Sequence, residues 1–212
     1  MEITSISKYK GSTYEVELDG ERKLYLHIDI IADNGLKKGA QLDKAELRKI
    51  IYDSNFRRAY QYALYCLDYR DYSAKDMYSK LVGTYKNENL CRAVVEKLTG
   101  AGIIDDARYA EKLARRLVEA RKYGFRRAKR ELLAKGIDED VAASALEQYR
   151  ELLGENLAEL LRTKHYRLLT DSSDRKNIEK VKSALVRYGY GFDEINAAVR
   201  EYFEDADEQA EE

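Results

Sequence analysis

Residues 124–146, GFRRAKRELLAKGIDEDVAASAL, hold the clearest copy of a helical pattern that recurs along this chain. Leu132, in the middle of that stretch, has counterparts at Leu81 and Leu185 within similar sequence, so the copies lie about 50 residues apart. Self-similarity at such a period is typical of stacked helical units that work through their outer surface rather than an interior pocket. The pattern therefore predicts tandem helical repeats from residue 54 to residue 203.

The amino-acid composition also favours a helical fold. Charged residues make up 36% of the chain, well above the usual quarter, and proline is absent. Helical layers with large exposed surfaces accommodate so much charge, and the lack of proline leaves helices uninterrupted. We therefore predict a mainly α fold: an elongated array of three tandem three-helix repeats, preceded by a small N-terminal β-hairpin segment.

The N-terminal segment has a different period. Apolar and polar residues alternate on both sides of Asp19-Gly20, which predicts a hairpin with a type I′ turn, and Ile3 to Ser7 can add a third strand. Asp43 and Glu46 form a capping box that starts a short helix. The predicted divisions are a hairpin segment (1–35), a linker with a short helix (36–53), repeats at 54–104, 105–153 and 154–203, and an acidic disordered tail (204–212).

Charge is unevenly distributed. Between Lys112 and Lys135 there are ten Lys/Arg residues against Glu119 and Glu131, although the net charge of the chain is only −1. One interpretation is a solvated surface balanced by acidic residues on the same helix. Because acidic residues are too few there, we favour a partner that carries phosphates or carboxylates. The 18 tyrosines predict aromatic core packing with hydroxyls at water, and a base-stacking surface is the alternative.

Signatures of catalysis are missing from the sequence. His27 and His165 are the only histidines, and neither lies at metal-ligand spacing from other candidate ligands. There is no phosphate-binding loop, and Cys66 and Cys91 have the apolar surroundings of buried thiols. We expect a protein without enzymatic activity, cofactor or metal. We also expect it to be cytoplasmic, because no signal peptide or transmembrane stretch is present.

Several motifs occur in a specific order. Ala63–Ser73 ends in Arg-x-x-Ser, residues 102–106 read GIIDD, Gly124–Arg127 read GFRR, and residues 131–137 read ELLAKGI. Each motif is weak alone, but their order and spacing resemble the RecX regulatory proteins. The resemblance covers the helical repeats and, more loosely, the hairpin. The third repeat matches loosely. The hairpin and the acidic tail depart from the helical core of the family, which leaves their roles open.

The RecX resemblance implies an all-helical array of three-helix repeats that binds the RecA recombinase, as monomer and as DNA filament. Such proteins inhibit filament extension, ATP hydrolysis, strand exchange and coprotease activity, and thereby regulate recombination, DNA repair and the SOS response. The family's functional positions carry over to the residues that match its motifs; these are Arg70, Arg127, Glu131, Lys135 and Gly136. No membrane partner is implied, and a monomer is expected. DNA, single- or double-stranded, is at most a weak partner, and direct contact with it is left open.

The candidate partner-binding residues combine the basic cluster with the matched motifs; they are Arg70, Arg115, Arg116, Arg121, Lys122, Arg126, Arg127, Lys129, Arg130 and Lys135. Reversing the charge of Arg126, Arg127 and Arg130 is expected to abolish inhibition without unfolding the protein. Two alternatives remain: a DNA-binding helical-repeat protein without a RecA partner, and a helical scaffold for another protein.

Overall fold

A computed structural model describes residues 1–211, with side chains through residue 206. Its elements follow the order of the chain. The strands are β1 (Ile3–Lys10), β2 (Thr13–Leu18) and β3 (Arg22–His27), and the helices are α1 (Ile28–Asp33), α2 (Lys44–Tyr69), α3 (Ala74–Tyr85), α4 (Glu88–Gly100), α5 (Asp106–Arg115), α6 (Phe125–Ala134), α7 (Glu139–Glu147), α8 (Arg150–Leu160), α9 (Arg175–Tyr188) and α10 (Phe192–Glu211). The mainly α class and the three three-helix repeats are confirmed.

The chain divides into two compact units. The first unit comprises Met1–Asp71 and Met77–Ile103, and the second comprises Tyr72–Asp76 and the residues from Ile104 onward. The first turn of α3 therefore belongs to the second unit, which contains the second and third repeats. In the described part of the chain, no helix combines the length and apolar character needed to cross a membrane.

Three antiparallel strands, in the order β1-β2-β3, form the N-terminal sheet. Asp19 and Gly20 both have positive φ, 53° and 74°, which confirms the predicted turn. The predicted third strand is also confirmed, because β1 begins at Ile3 and pairs with β2. Val16 and Leu26 face a core that includes residues of α1 and α2. The sequence did not predict α1, a short helix that begins where the His27 side chain accepts a hydrogen bond from the Asp29 amide.

The α2 helix differs from the predicted division at residue 53. It begins at the predicted capping box of Asp43 and Glu46, but it continues through Ser54, which is buried, to Tyr69. No glycine or proline interrupts residues 44–69, so nothing breaks the helix there. Its first turns supply Leu47 to the core of the sheet, and its later turns pack against α4.

Each of the last two repeats has its own hydrophobic core. Leu113, Leu132 and Leu146 are buried in the core of the second repeat, and Leu161 and Leu185 in that of the third. The predicted N-caps are also confirmed: the Asn87, Asp105 and Asp138 side chains accept backbone N–H bonds at the starts of α4, α5 and α7.

The last helix extends beyond the predicted end of the third repeat. Disorder was expected from residue 204, but α10 runs Phe192–Glu211. Tyr202 and Phe203 pack against the core of the third repeat, and the Asp205 carboxylate lies 2.8 Å from Arg162 Nη2. These contacts hold the helix where the acidic composition predicted a tail. Glu212 and the side chains from Asp207 on lie outside the described residues.

Within the second unit, the C-terminal end of α9 meets the N-terminal end of α6. The Gly124 amide donates to Tyr188 O (2.9 Å) and the Arg126 amide donates to Gly189 O (3.1 Å). Helix ends leave unsatisfied N–H and C=O groups, and here the two ends satisfy each other. We call this contact the α9–α6 joint. It holds the second and third repeats together.

The α9–α6 joint requires glycine on both sides. Gly189 has φ +98°, and a Cβ there would lie 2.5 Å from Arg127 N. A Cβ on Gly124 would lie 2.6 Å from the carbonyl carbon of Gly189. A side chain at either position would therefore push the two helix ends apart.

We expect Gly189→Ala to lower the free energy of unfolding by about 2–4 kcal/mol, because it combines an unfavourable φ with a steric clash. The matched control is Gly102→Ala. Gly102 also has positive φ (+67°) but has nothing within 4 Å of the added Cβ, so the expected loss is about 1 kcal/mol. Urea unfolding of both variants measures the difference. Equal losses would contradict the close approach at the joint.

Candidate partner-binding surface

Several basic residues of the second repeat are exposed on or next to its first two helices. On α6, Ala128 and Leu132 are buried, while Arg126 and Arg130 are exposed. The two arginines stand four residues apart and therefore lie on one side of the helix. Arg115 and Arg116 are exposed as well, because the apolar residues around them, Leu113 to Val118, turn toward the core of the repeat.

A π-helical turn, Arg116–Ala120, follows α5 and carries part of this surface. Such turns leave backbone groups without their usual helical partners. Here the amide of Asn156 donates to Val118 O at 3.0 Å, and Asn156 is almost fully buried. A second π-helical turn, Leu161–His165, follows α8 in the third repeat. The first helix of each of these repeats therefore ends in the same irregular way.

The three lysines among the candidates in the second unit form ion pairs. Lys122 lies 2.8 Å from Glu159, Lys129 lies 2.7 Å from Glu139, and Lys135 lies 2.8 Å from Asp76. Each partner carboxylate comes from a different element. The balanced-surface interpretation therefore describes these lysines, although the balancing acidic residues are not on the same helix.

Arg127 has a structural environment within the α9–α6 joint. Its guanidinium stacks 3.8 Å from the centre of the Tyr123 ring, and Nη1 donates to Arg187 O at 3.0 Å. Its Nε is buried and has no hydrogen-bond partner among the described residues. These contacts hold the arginine against α9, so the structure places Arg127 in the joint rather than on the open surface.

Five of the candidate arginines in the second unit are exposed and form no ion pair in the part of the chain that the structure describes; they are Arg115, Arg116, Arg121, Arg126 and Arg130. We call them the arginine surface. Arg70 lies in the first unit, where its amide donates to Cys66 O as the C-cap of α2. The arginine surface can bind planar anions through forked hydrogen bonds.

Burial shifts the pKa of two titratable groups in the second unit toward their neutral forms. Burial raises the pKa of Tyr190, whose hydroxyl donates to Lys122 O at 3.1 Å beside the α9–α6 joint. Burial also lowers the pKa of His165, so this imidazole stays neutral at pH 7. Residues 1–206 contain no group of three His, Cys, Asp or Glu side chains arranged to hold a metal ion. Cys66 and Cys91 are free and buried.

One feature was missed by the sequence reasoning. A cavity of about 400 Å³ opens in the second unit beside Arg126, with Leu153 and Leu157 in its lining. Gly154, an exposed glycine inside α8, also lines it. A glycine within a helix could have indicated the cavity from the sequence, because glycine destabilises a helix and its presence there needs a packing or functional explanation.

The comparisons with known proteins agree with the motifs. Residues 105–146 match the family model described as RecX, second three-helix domain. A regulatory protein RecX of Bacillus pumilus is 28% identical, covering 99% of this chain and 81% of that protein. One of Clostridium acetobutylicum is 29% identical, covering 95% of this chain and 96% of the relative.

Solved structures show the same fold. A crystal structure of regulatory protein RecX superposes with a TM-score of 0.77 at 24% identity, covering 94% of this chain and 98% of the other. The crystal structure of RecX from Lactobacillus salivarius gives a TM-score of 0.63 at 28% identity, covering 69% of this chain and 96% of the other. Together with the sequence matches, these structures confirm the resemblance.

We expect Arg127→Leu to lower the free energy of unfolding by about 2–3 kcal/mol, because it removes the stacking on Tyr123 and the hydrogen bond to Arg187 O. Arg126→Leu is the neighbouring control and should change that free energy by about 0.5 kcal/mol or less, since Arg126 is exposed. Urea unfolding distinguishes the two variants. A stable Arg127→Leu protein would show that the joint does not depend on this arginine.

Proposed function

Because this chain belongs to the RecX family of regulatory proteins, we propose that it binds the RecA recombinase and its DNA filament. In this proposal the bound protein inhibits filament extension, ATP hydrolysis, strand exchange and coprotease activity. It acts as a monomer in the cytoplasm, by occupying a surface and without chemistry of its own. The full-length similarity to RecX proteins is the observation that carries the proposal.

The arginine surface supplies a physical basis for the proposed binding. Its members are exposed and have no ion pair among the described residues, so a partner's carboxylates or phosphates can reach them without displacing an internal carboxylate. Long-range attraction to an acidic filament would speed association and weaken as ionic strength rises. Contacts from more than one repeat would add to the affinity, because the second contact forms at high effective concentration.

A DNA-binding protein without a RecA partner is the alternative that the arginine surface also permits. Such a protein would bind bare DNA tightly, with an affinity that falls steeply with salt. A gel-shift comparison of bare single-stranded DNA with RecA-coated DNA separates the two functions. Preference for the coated DNA supports RecA recognition, and equal or stronger binding to bare DNA favours the alternative.

The decisive variant should leave Arg127 intact, because that residue belongs to the α9–α6 joint. We expect Arg126→Glu combined with Arg130→Glu to raise the concentration needed for half-inhibition of the DNA-dependent ATPase of RecA by about tenfold or more. Both side chains are exposed, so the thermal unfolding temperature should stay close to that of the wild type.

The matched control reverses two exposed charges elsewhere, Arg175→Glu combined with Lys176→Glu at the start of α9. Acidic residues are favourable at a helix N-terminus, so this variant should fold and inhibit normally. Full inhibition by the Arg126/Arg130 variant would remove the arginine surface from the proposal. No inhibition by the wild-type protein would remove the proposed function itself.

A further inference from the structure

The cavity beside Arg126 has the size and lining of a binding site. We propose that it receives an apolar side chain of a protein partner, and that an acidic residue of the same segment pairs with Arg126. This inference rests on the proposed function, in which the segment belongs to a RecA subunit. The cavity lies wholly within the second unit, at the side of the α9–α6 joint.

The apolar part of the lining consists of buried and half-buried side chains. Leu153 and Leu157 are buried, Phe125 is half-buried, and all three line the space. Its volume of about 400 Å³ falls within the range of roughly 300–1,000 Å³ that small ligand sites occupy. Burial of one apolar side chain there would remove hydrocarbon surface of both partners from water. An apolar anchor in such a pocket is how a few residues come to dominate an interface.

Arg126 is the available cation in the lining. Arg150 also lines the cavity, but its Nε already lies 2.6 Å from the Glu147 carboxylate. Arg126 has no ion pair among the described residues, although its neighbours in sequence, Arg127 and Lys129, are both engaged. A carboxylate of the partner is therefore the group that this position accepts best.

The acidic residues in the lining favour a polypeptide over a nucleic acid. Asp193 and Glu194 are exposed at the start of α10, and Glu194 accepts a hydrogen bond from the Gly191 amide at 2.7 Å. Their charges would repel a phosphate backbone, which carries a negative charge at every nucleotide, whereas a polypeptide can present a single carboxylate at Arg126. A polypeptide segment offers apolar, acidic and basic groups at neighbouring positions, so it can match all parts of this lining.

Gly154 is an exposed residue of α8 that lines the cavity. It lies inside α8, where glycine costs about 0.5–1 kcal/mol relative to alanine. A Cβ at Gly154 would meet nothing within 4 Å, so packing does not require the glycine. Occupation of the cavity by a partner would explain why residue 154 is glycine, because any larger side chain would project into the space that the partner's side chain would fill.

A larger side chain at Gly154 tests the inference. We expect Gly154→Leu to weaken binding to RecA filaments on single-stranded DNA by about tenfold or more, with Gly154→Ala causing a smaller loss. Binding to the bare single-stranded oligonucleotide should be unchanged. The unfolding temperature should be equal or higher, because both substitutions improve helix propensity. The control is Gly83→Leu, the same change at an exposed glycine inside α3 that does not line the cavity.

The outcomes separate the possible failures. Wild-type filament affinity in Gly154→Leu would overturn the inference, and equal losses on filament and bare DNA would show that the occupant is nucleic acid. If the wild-type protein does not bind the filament, the proposed function fails first and this inference falls with it. If Gly154→Leu lowers the unfolding temperature, Gly154→Gln provides a polar obstruction of similar length, to which the same criteria apply.

Discussion

The hydrogen bonds between the last carbonyls of α9 and the first amides of α6 hold the second unit in one arrangement. They join the negative end of one helix dipole to the positive end of another, so electrostatics and hydrogen bonding act in the same direction. Arg127 and Tyr190 reinforce the contact from either side, by donating to Arg187 O and Lys122 O. Arg126 and the cavity beside it both depend on this arrangement, since Arg126 lies in the first turn of α6 and lines the cavity.

Lysine and arginine have different roles in the second repeat. Lysines hold elements together through single short ion pairs, as Lys129 does with Glu139. Most arginines are left exposed, and Arg127 is the exception because its planar group can stack on a ring while it donates to a carbonyl. The excess positive charge of the sequence is thus partly structural, and the part that remains for a partner is carried by arginine.

Local features could be predicted from the sequence because they depend on neighbouring residues. The Asp19-Gly20 turn and the Asn87 cap are examples, each set by side-chain or backbone chemistry over a few positions. The joint between Gly189 and Arg127 was not predicted, since it unites positions more than sixty residues apart. The cavity was missed for the same reason. At Ser54, a polar residue resembled a helix start, but burial inside α2 overrode that preference.

The length of α2 has a consequence for how the first unit loses its structure. One uninterrupted 26-residue helix supplies Leu47 and Ile50 to the sheet's hydrophobic cluster and then buries Ala59 and Ala63 further along. Unfolding of either end of α2 would expose apolar side chains that pack against neighbouring elements. Because a helix unfolds cooperatively, loss of one end also destabilises the other. The small sheet is too short to be stable alone, so it stays folded only while the first repeat, which follows it in the chain, is folded.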